Sequence, residues 1–547
     1  MAGLPSLTGL PVRAERARSA RRIRRQIGRS ENYLAARGEP GGRPVLVFNA
    51  STRIHTLSLN AAYSLLAGWA IRLSGSPVRY VVCREGMEQC VLGLHPDDHR
   101  RDPPCNACIG FSEILFPAEQ VIRLEFDPQA AHEVEGELAG LRMGELRGWV
   151  HDGLALGELC LPGLRWALRR HRLPEDEPTR SVYRQYLRSA ASLASRLAAI
   201  YAETRPRAVV VFNGIMYPEA VARAVAVRQG IPVVAHEVGL LPLSAYFSHR
   251  EATFREVDLS DADELSASDE QRLDEYLGIR RNGRFSMAGI QFWPEMEPFP
   301  EQLAATQARH RQMVTIFTNV IFDTSLVHAN TVFADMFDWL EALQPVIRAE
   351  ADTLFVIRAH PDEDRPGKAS QESVAEWFRA GGLASLSNVA FLGPSDYISS
   401  YELIERSKLV LVYNSSTGLE ASILGVPVLC AGRSRYSAVD PRLLPPDRQA
   451  YLARLNALLG GPSLPGSPEL VRRARQFLYY ELFQASLDFS SYLTPYPSIP
   501  GMVTFSDFEP ASLVSDPIFP MLGRGILEGA AFAAPARSAA LAGPARR

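Results

Sequence analysis

No stretch of this 547-residue chain stays apolar for the ~18 residues that a bilayer crossing needs. The nearest approach, 61–75, is interrupted by Arg72 and reads as an amphipathic helix. Net charge is nearly absent: 58 Lys and Arg against 61 Asp and Glu leave a formal −3, so no whole-molecule field argues for nucleic acid. The N-terminal arginines are not followed by an apolar segment, which excludes a Sec or twin-arginine signal and makes a cytoplasmic address the expectation. Tandem repeats are missing, and there are only 6 cysteines. A hydrophobic content of 46% is nonetheless enough for two soluble domains, each with its own core.

Two local concentrations stand out. Arginines crowd the run from Arg13 to Arg29, inside a basic segment 1–42. Such a run suits peripheral contact with an anionic membrane surface, and equally a solvated, partly disordered tail. Cys83, Cys90, Cys105 and Cys108 form a C-x6-C-x14-C-x2-C pattern, with Pro103-Pro104 ahead of the last pair. Clustered thiols in a cytosolic chain bind metal more often than they form disulfides. A structural zinc-like site is the first expectation, four unrelated cysteines or a redox-labile pair the second and an iron–sulfur cluster the third. Cys160 and Cys430 read as core cysteines.

Hydrophobic periodicity organises the rest. Strands are expected at 43–49, 78–83, 207–212 and 231–235, helices at 55–74, 182–203 and 217–229, while 110–180 is poorly legible. Gly283, Gly289, Pro294, Pro298 and Pro300 mark 280–310 as a linker. A second alternation follows: strands at 313–319, 353–359, 389–393, 408–413 and 427–431, with helices at 331–347, 372–381, 397–407 and 418–425 between them. The class is α/β, with two Rossmann-like domains facing a cleft, at 43–300 and 301–490. A helix at 468–487 is expected to pack back across that cleft. The extension 491–547 turns Ala/Pro/Gly-rich beyond about 505, and 529–547 is expected to be disordered.

Ligands of such sheets bind outside the carboxyl ends of the strands. There lie Ile357-Arg-Ala-His-Pro361 and Tyr413-Asn-Ser-Ser-Thr-Gly-Leu-Glu420, followed by Leu424-Gly-Val-Pro427. Small hydroxyl residues and a glycine at a strand-to-helix junction leave backbone N–H groups free for an anion. Helix capping alone also accounts for Ser415-Ser416-Thr417, and His360 alone also reads as a loop histidine. Both loops face one crevice, which favours a ligand.

Together with Gly432-x-x-x-Tyr436, these motifs resemble the capsule-polysaccharide biosynthesis glycosyltransferases, a group that includes bacterial Kdo transferases, best over 311–436. The resemblance implies a GT-B arrangement without a required cofactor, a nucleotide-sugar donor, and a glycan or lipid-linked acceptor. It implies that His360 and Ser415, Ser416 and Thr417 hold the donor phosphate, with Arg358 close by, and that Glu420 holds the nucleoside. Val314-Thr-Ile-Phe-Thr-Asn319, with Asp323 beyond, looks like the first strand and loop of the donor half. Val233-Val-Ala-His-Glu237-Val-Gly239 resembles the acceptor-facing carboxylate segment, with His236-Glu237 where an acidic pair is often found.

Glycosyl transfer needs fixed donors at the departing phosphate and a base for the acceptor hydroxyl. His360 serves the first and Glu237 the second; His236, one residue earlier in a strand, faces the other way and is an alternative to Glu237. Asn49, Arg53, His55, Asn213 and Glu219 complete the acceptor-side candidates, each of them also explicable as a cap, a helix-start charge or a loop residue. Rival readings are a sugar-nucleotide 2-epimerase, a polyol-phosphate transferase and a non-catalytic glycan- or nucleotide-binding assembly protein.

Overall fold

The structure, a computed structural model, describes residues 10–50, 56–93, 102–251, 257, 264–281, 296–323, 326–365, 369–462, 466–496, 499 and 501–533. The chain opens with α1 (Leu10–Ala36), β1 (Val45–Asn49), α2 (Leu59–Leu73), β2 (Val78–Cys83), α3 (Cys105–Leu115) and β3 (Val121–Leu124). After several short helices come α4 (Leu156–Leu168), α5 (Glu177–Thr204), β4 (Ala208–Phe212), α6 (Glu219–Arg228), β5 (Val233–Val238) and β6 (Ser244–Ser248). The first sheet runs β3-β2-β1-β4-β5-β6, parallel through β5 and antiparallel at β6. The strand order reverses between β1 and β4, and a crevice opens there at the carboxyl ends.

Helix α7 (Ala267–Arg281) leads toward the second domain. Its sheet comprises β7 (Gln312–Phe317), β8 (Thr353–Arg358), β9 (Val389–Leu392), β10 (Leu409–Val412) and β11 (Val428–Cys430), in the order β9-β8-β7-β10-β11 and entirely parallel. The seven-residue α8 (Thr417–Ile423) joins β10 to β11. β7, β8 and β10 bury nearly every residue, as a parallel sheet covered on both faces requires. Both domains therefore share one Rossmann-like order, and the expected two-domain α/β class stands.

The end of the chain does not stay with the second domain. After α9 (Pro468–Tyr479) and a wide turn at Tyr480–Gln484, β12 (Leu487–Asp488) pairs antiparallel with β6 and completes the first sheet. Strands Leu493–Pro495 and Met502–Phe505 form a small sheet with Leu57–Ser58, and α10 (Ile518–Glu528) buries Ile518, Phe519, Met521, Leu522 and Ile526 in the first domain's core. The extension read as 491–547 thus folds onto the first domain as far as Phe532; 534–547 lies outside the described residues.

Two further expectations change. Segment 1–42 contains a packed helix: Ile23, Ile27 and Leu34 of α1 enter the core, and Gln26 Nε2 donates to the Phe508 carbonyl at 2.9 Å. Arg29 holds Asp507 at 2.8 Å and Glu509 at 2.7 Å, while Arg18, Arg21, Arg22, Arg24 and Arg25 stay exposed. Helix α2 is buried almost all round instead of being amphipathic, since Arg72 is neutralised by Glu31 and, at 2.9 Å, by Glu39. A clasp also joins the domains. His171 N–H and Arg172 N–H donate to Glu372 Oε2 at 2.6 and 3.0 Å, and Gln371 N–H donates to the Arg169 carbonyl at 2.8 Å.

Candidate functional site

β8 delivers Arg358, Ala359 and His360 to the carboxyl edge of the second sheet, where Pro361 ends the strand. His360 caps the following turn: its Nδ1 accepts the Asp362 N–H at 3.1 Å. The neutral ring therefore carries its proton on Nε2 and can donate from there. Burial pushes the His360 pKa below the ordinary imidazole value, against the pull of Asp362 and Asp323, so the ring is neutral at pH 7.

Beside it, β10 runs into the Ser415-Ser416-Thr417 loop. Ser415 Oγ accepts the Thr417 N–H at 3.3 Å and lies 3.1 Å from Thr417 Oγ1. Tyr436, fully buried, donates to the Ser415 carbonyl at 2.6 Å and so fixes the loop from below. That contact explains Gly418: a Cβ there would stand 2.1 Å from the Tyr436 hydroxyl. At seven residues α8 contributes little end-on field, and anion binding at this loop rests on hydroxyl and N–H donors.

A cavity of about 170 Å³ joins these parts. His360, Arg358, Ser415, Ser416, Thr417 and Glu420 all line it, with Thr318, Tyr401, Met296 and Arg280. Arg358 is otherwise engaged, donating to the Gly393 carbonyl at 2.5 Å to brace the loop after β9. Glu420 pairs with Arg280 at 2.5 Å, and Arg280 also donates to the Tyr276 hydroxyl at 3.2 Å. Arg280, Tyr401 and Thr318 escaped the sequence reading. The signal for Arg280 was a cationic pair, Arg280-Arg281, closing an acid-rich helix whose last two residues fall in the segment 280–310 read as a linker.

Asn319 and Asp323 sit on the loop after β7, outside the cavity lining. Asn319 N–H meets Met336 Sδ at 3.2 Å, and its Oδ1 is buried with no hydrogen bond among the described residues. Asp323 is exposed, and its charge reaches both His360 and, across the cleft, Glu237. The two domains meet at this loop.

The first domain's wall is built from β1, β4 and β5. Asn213 follows β4 in a left-handed conformation, φ +57, a region that asparagine tolerates. Its Nδ2 donates to Glu237 Oε2 at 2.6 Å, its Oδ1 accepts the Ile215 N–H at 3.1 Å, and the Val238 N–H reaches Glu237 Oε1 at 2.8 Å. Burial nevertheless pushes the Glu237 carboxyl up to about 7; the two hydrogen bonds oppose that rise and Asp323 reinforces it. His236 faces the opposite side, as strand alternation requires. It is fully buried, its Nε2 lies 3.2 Å from Ser64 Oγ, and burial pushes its pKa down to about 3, which makes it a core residue.

Asn49 ends β1 on this same edge, buried, with an Oδ1 that lacks a hydrogen bond among the described residues. Glu219 is buried in the first turn of α6, where a carboxylate favours the helix start. Arg53 and His55 lie outside the described residues. Cys83, Cys90, Cys105 and Cys108 line one small cavity, while Cys160 and Cys430 are buried in the cores as expected. Among the described residues, no group of three or more His, Cys, Asp or Glu side chains is arranged as a metal-binding set, and no helix is long and apolar enough to cross a membrane.

Among curated proteins none matches the chain. Solved structures give matches of low score. KpsC of Thermosulfurimonas dismutans, described as a beta Kdo 2,4 transferase, is 15% identical over 56% of this chain and 87% of its own, with a TM-score of 0.34. Its beta Kdo 2,7 transferase is 14% identical over 59% and 89%, at 0.31. The UDP-GlcNAc 2-epimerase of Neisseria meningitidis, bound to UDP-GlcNAc, is 12% identical over 80% and 99%, at 0.26. Scores of this size say nothing about the reaction. The family match is sharper in place: residues 295–440, which hold His360, the Ser415–Thr417 loop, Glu420 and Tyr436, match the family described as capsule polysaccharide biosynthesis protein.

Proposed function

We propose that this protein is a glycosyltransferase of the GT-B arrangement, moving a sugar from a nucleotide-activated donor to a glycan or lipid-linked acceptor in capsule polysaccharide synthesis. One observation carries the reading. A carboxylate with its pKa raised to about 7 stands on one wall of the interdomain cleft, and a neutral imidazole beside a hydroxyl loop stands on the other, with Asp323 within electrostatic reach of both. The family match over 295–440 supports it independently.

In this reading the cavity takes the nucleoside diphosphate or monophosphate of the donor. His360 Nε2–H and the donors of Ser415, Ser416 and Thr417 hold the phosphate as the sugar–oxygen bond breaks and negative charge grows on the departing oxygen. Glu237, held by Asn213, takes the proton of the acceptor hydroxyl as that oxygen bonds to the sugar carbon. A base with a pKa near 7 is half-ionised at working pH and still basic enough to be effective. Glu420 is the nucleoside-side carboxylate, and Arg280 keeps it oriented. Asn49 and Glu219, with Arg53 and His55, remain candidates for the acceptor side. The arginines exposed on α1 fit peripheral contact with the anionic inner face of a cell membrane.

The test is a thermal-shift panel of CMP, UDP, GDP and CDP nucleotides on wild type, His360→Ala and Glu237→Gln, paired with assay of nucleotide release from the sugar donor so selected. A transferase shows a shift with one nucleotide that His360→Ala abolishes and Glu237→Gln keeps, while Glu237→Gln loses turnover about 10²–10⁴-fold. Unchanged turnover in Glu237→Gln removes Glu237 as the base, and a wild type that binds nucleotide without turnover removes the transferase reading. No shift with any nucleotide removes the donor cavity.

A further inference from the structure

We propose that Cys83, Cys90, Cys105 and Cys108 form a four-thiolate site for a single thiophilic divalent ion of the zinc class, a site separate from the sugar-transfer cleft. The four thiols come from two stretches of chain and line one cavity of about 20 Å³. A volume of that size holds about one water or one ion. Among the described residues the rest of the lining is Ala50, Met87, Leu92, Pro103, Pro104 and Ile109, with Glu85 the one carboxylate. Four thiols that share one cavity offer a donor set matched to a soft cation.

The backbone around the sulfurs has the form that a thiolate site uses. Cys83 ends β2, and the chain turns through Glu85 in a left-handed conformation, φ +57, so that the Gly86 N–H points at Cys83 Sγ, 3.4 Å away. Gly86 must lack a side chain, since a Cβ would stand 2.8 Å from the Leu124 carbonyl oxygen. Cys90 sits in a second tight turn, closed by the Gly93 N–H on the Cys90 carbonyl at 3.0 Å. Gly93 packs so closely on Pro103 that a Cβ would come within 2.7 Å, which pins this turn to the start of α3. Cys105 and Cys108 occupy the first turn of α3, an eleven-residue helix that has neither a side-chain cap nor an early acidic residue. Thiolates at that end satisfy a helix start that the sequence leaves bare.

The side chains are not yet gathered into a metal-binding set. Metal capture requires the thiols to turn about χ1 toward the common cavity, each releasing its proton to solvent as its sulfur–metal bond forms, four protons for one ion. Closure bolts the turn after β2 to α3, and so to α1, which packs on α3.

The experiment is elemental analysis and X-ray absorption on the full chain purified under reductant without chelator. The expected result is one zinc per chain with sulfur-only scattering at ~2.3 Å, and loss of the metal in Cys83→Ser and in the Cys105→Ser/Cys108→Ser pair, with nucleotide binding retained. Should those variants fail to fold, cobalt(II) added to chelated wild type gives the same answer through intense thiolate-to-metal charge-transfer bands and the release of four protons. A metal-free chain whose four thiols react at the rate of free cysteine overturns the proposal. So does a Cys105–Cys108 disulfide found by peptide mapping under reductant, or cobalt that binds without thiolate bands. None of these outcomes bears on whether the cleft transfers sugar.

Discussion

Replacing Glu237 by glutamine separates catalysis from stability with a defined pH signature. The folded carboxyl has its pKa raised from 4.5 to about 7, chiefly by burial. The carboxyl therefore contributes its full stabilisation below the unfolded pKa, as the protonated form, and loses it as pH rises through 7. Each unit is worth ~1.4 kcal/mol, so ionising Glu237 costs the fold about 3 kcal/mol, most of it between pH 5 and pH 8. Glutamine does not titrate. Its one oxygen keeps either the Asn213 or the Val238 hydrogen bond and loses the other, a cost of about 1 kcal/mol at every pH. Glu237→Gln is thus expected to be less stable than wild type at pH 5 and more stable at pH 8, crossing between them. Urea unfolding read by hydrogen exchange of the β5 peptide measures this domain by itself. In parallel, the wild-type kcat/KM should fall with acid through a pKa near 7, a limb absent from the residual rate of the variant. A stability gap that stays constant from pH 5 to pH 8 refutes the burial argument, and with it the assignment of Glu237 as a base tuned to neutral pH.

Other outcomes follow from single contacts. Gly418→Ala drives a methyl into the Tyr436 hydroxyl, so donor binding should fall at least tenfold in titration calorimetry, and Tyr436→Phe in the same chain should recover part of it. Arg280→Ala leaves Glu420 without its 2.5 Å partner; nucleotide Kd is expected to rise about tenfold with little change in kcat, and an unchanged Kd removes Arg280 from the site. Arg72→Met leaves the partly buried Glu31 charge with hydrogen bonds from Trp69 and Gln120 but without its cation, and should cost about 3 kcal/mol in chemical denaturation, most of which Glu31→Gln in the same chain returns. Replacing Arg18, Arg21, Arg22 and Arg24 by glutamine should abolish co-sedimentation with phosphatidylglycerol vesicles at low salt, and binding that survives rules out α1 as the contact.

The second domain was legible almost element by element, because each buried parallel strand reads as an unbroken apolar run and each ends in a loop with strong punctuation, as at His360-Pro361 and Asn414–Thr417. The opposite orientations of Glu237 and His236 follow from the period of a strand. What failed were features set by partners distant in the chain. Arg72 made α2 look amphipathic because nothing local announces Glu31 and Glu39 as its counter-charges. Helix α7 buries only Leu273 and Tyr276, too thin a stripe to register, yet it delivers Arg280 to Glu420. Within 110–180 the stretch 128–147 breaks into helices of four to six residues that are shorter than the window in which periodicity can be seen. In the tail, the Ala/Pro/Gly-rich composition of the last residues hid the apolar stripe of Ile518, Phe519, Leu522 and Ile526.

The pairing of β12 with β6 and the seating of α10 on α2 also govern the order in which the molecule is made. The second domain is continuous in the chain between the linker and α9, so all its strands have emerged from a ribosome before translation reaches residue 487. The first domain waits: its sheet edge at β6 and the outer face of α2 stay uncovered until residues 487–528 arrive. Although its strands are synthesised first, the Glu237 wall is therefore the last part of the cleft to close, and a nascent chain presents a nucleotide cavity before it has a complete acceptor wall.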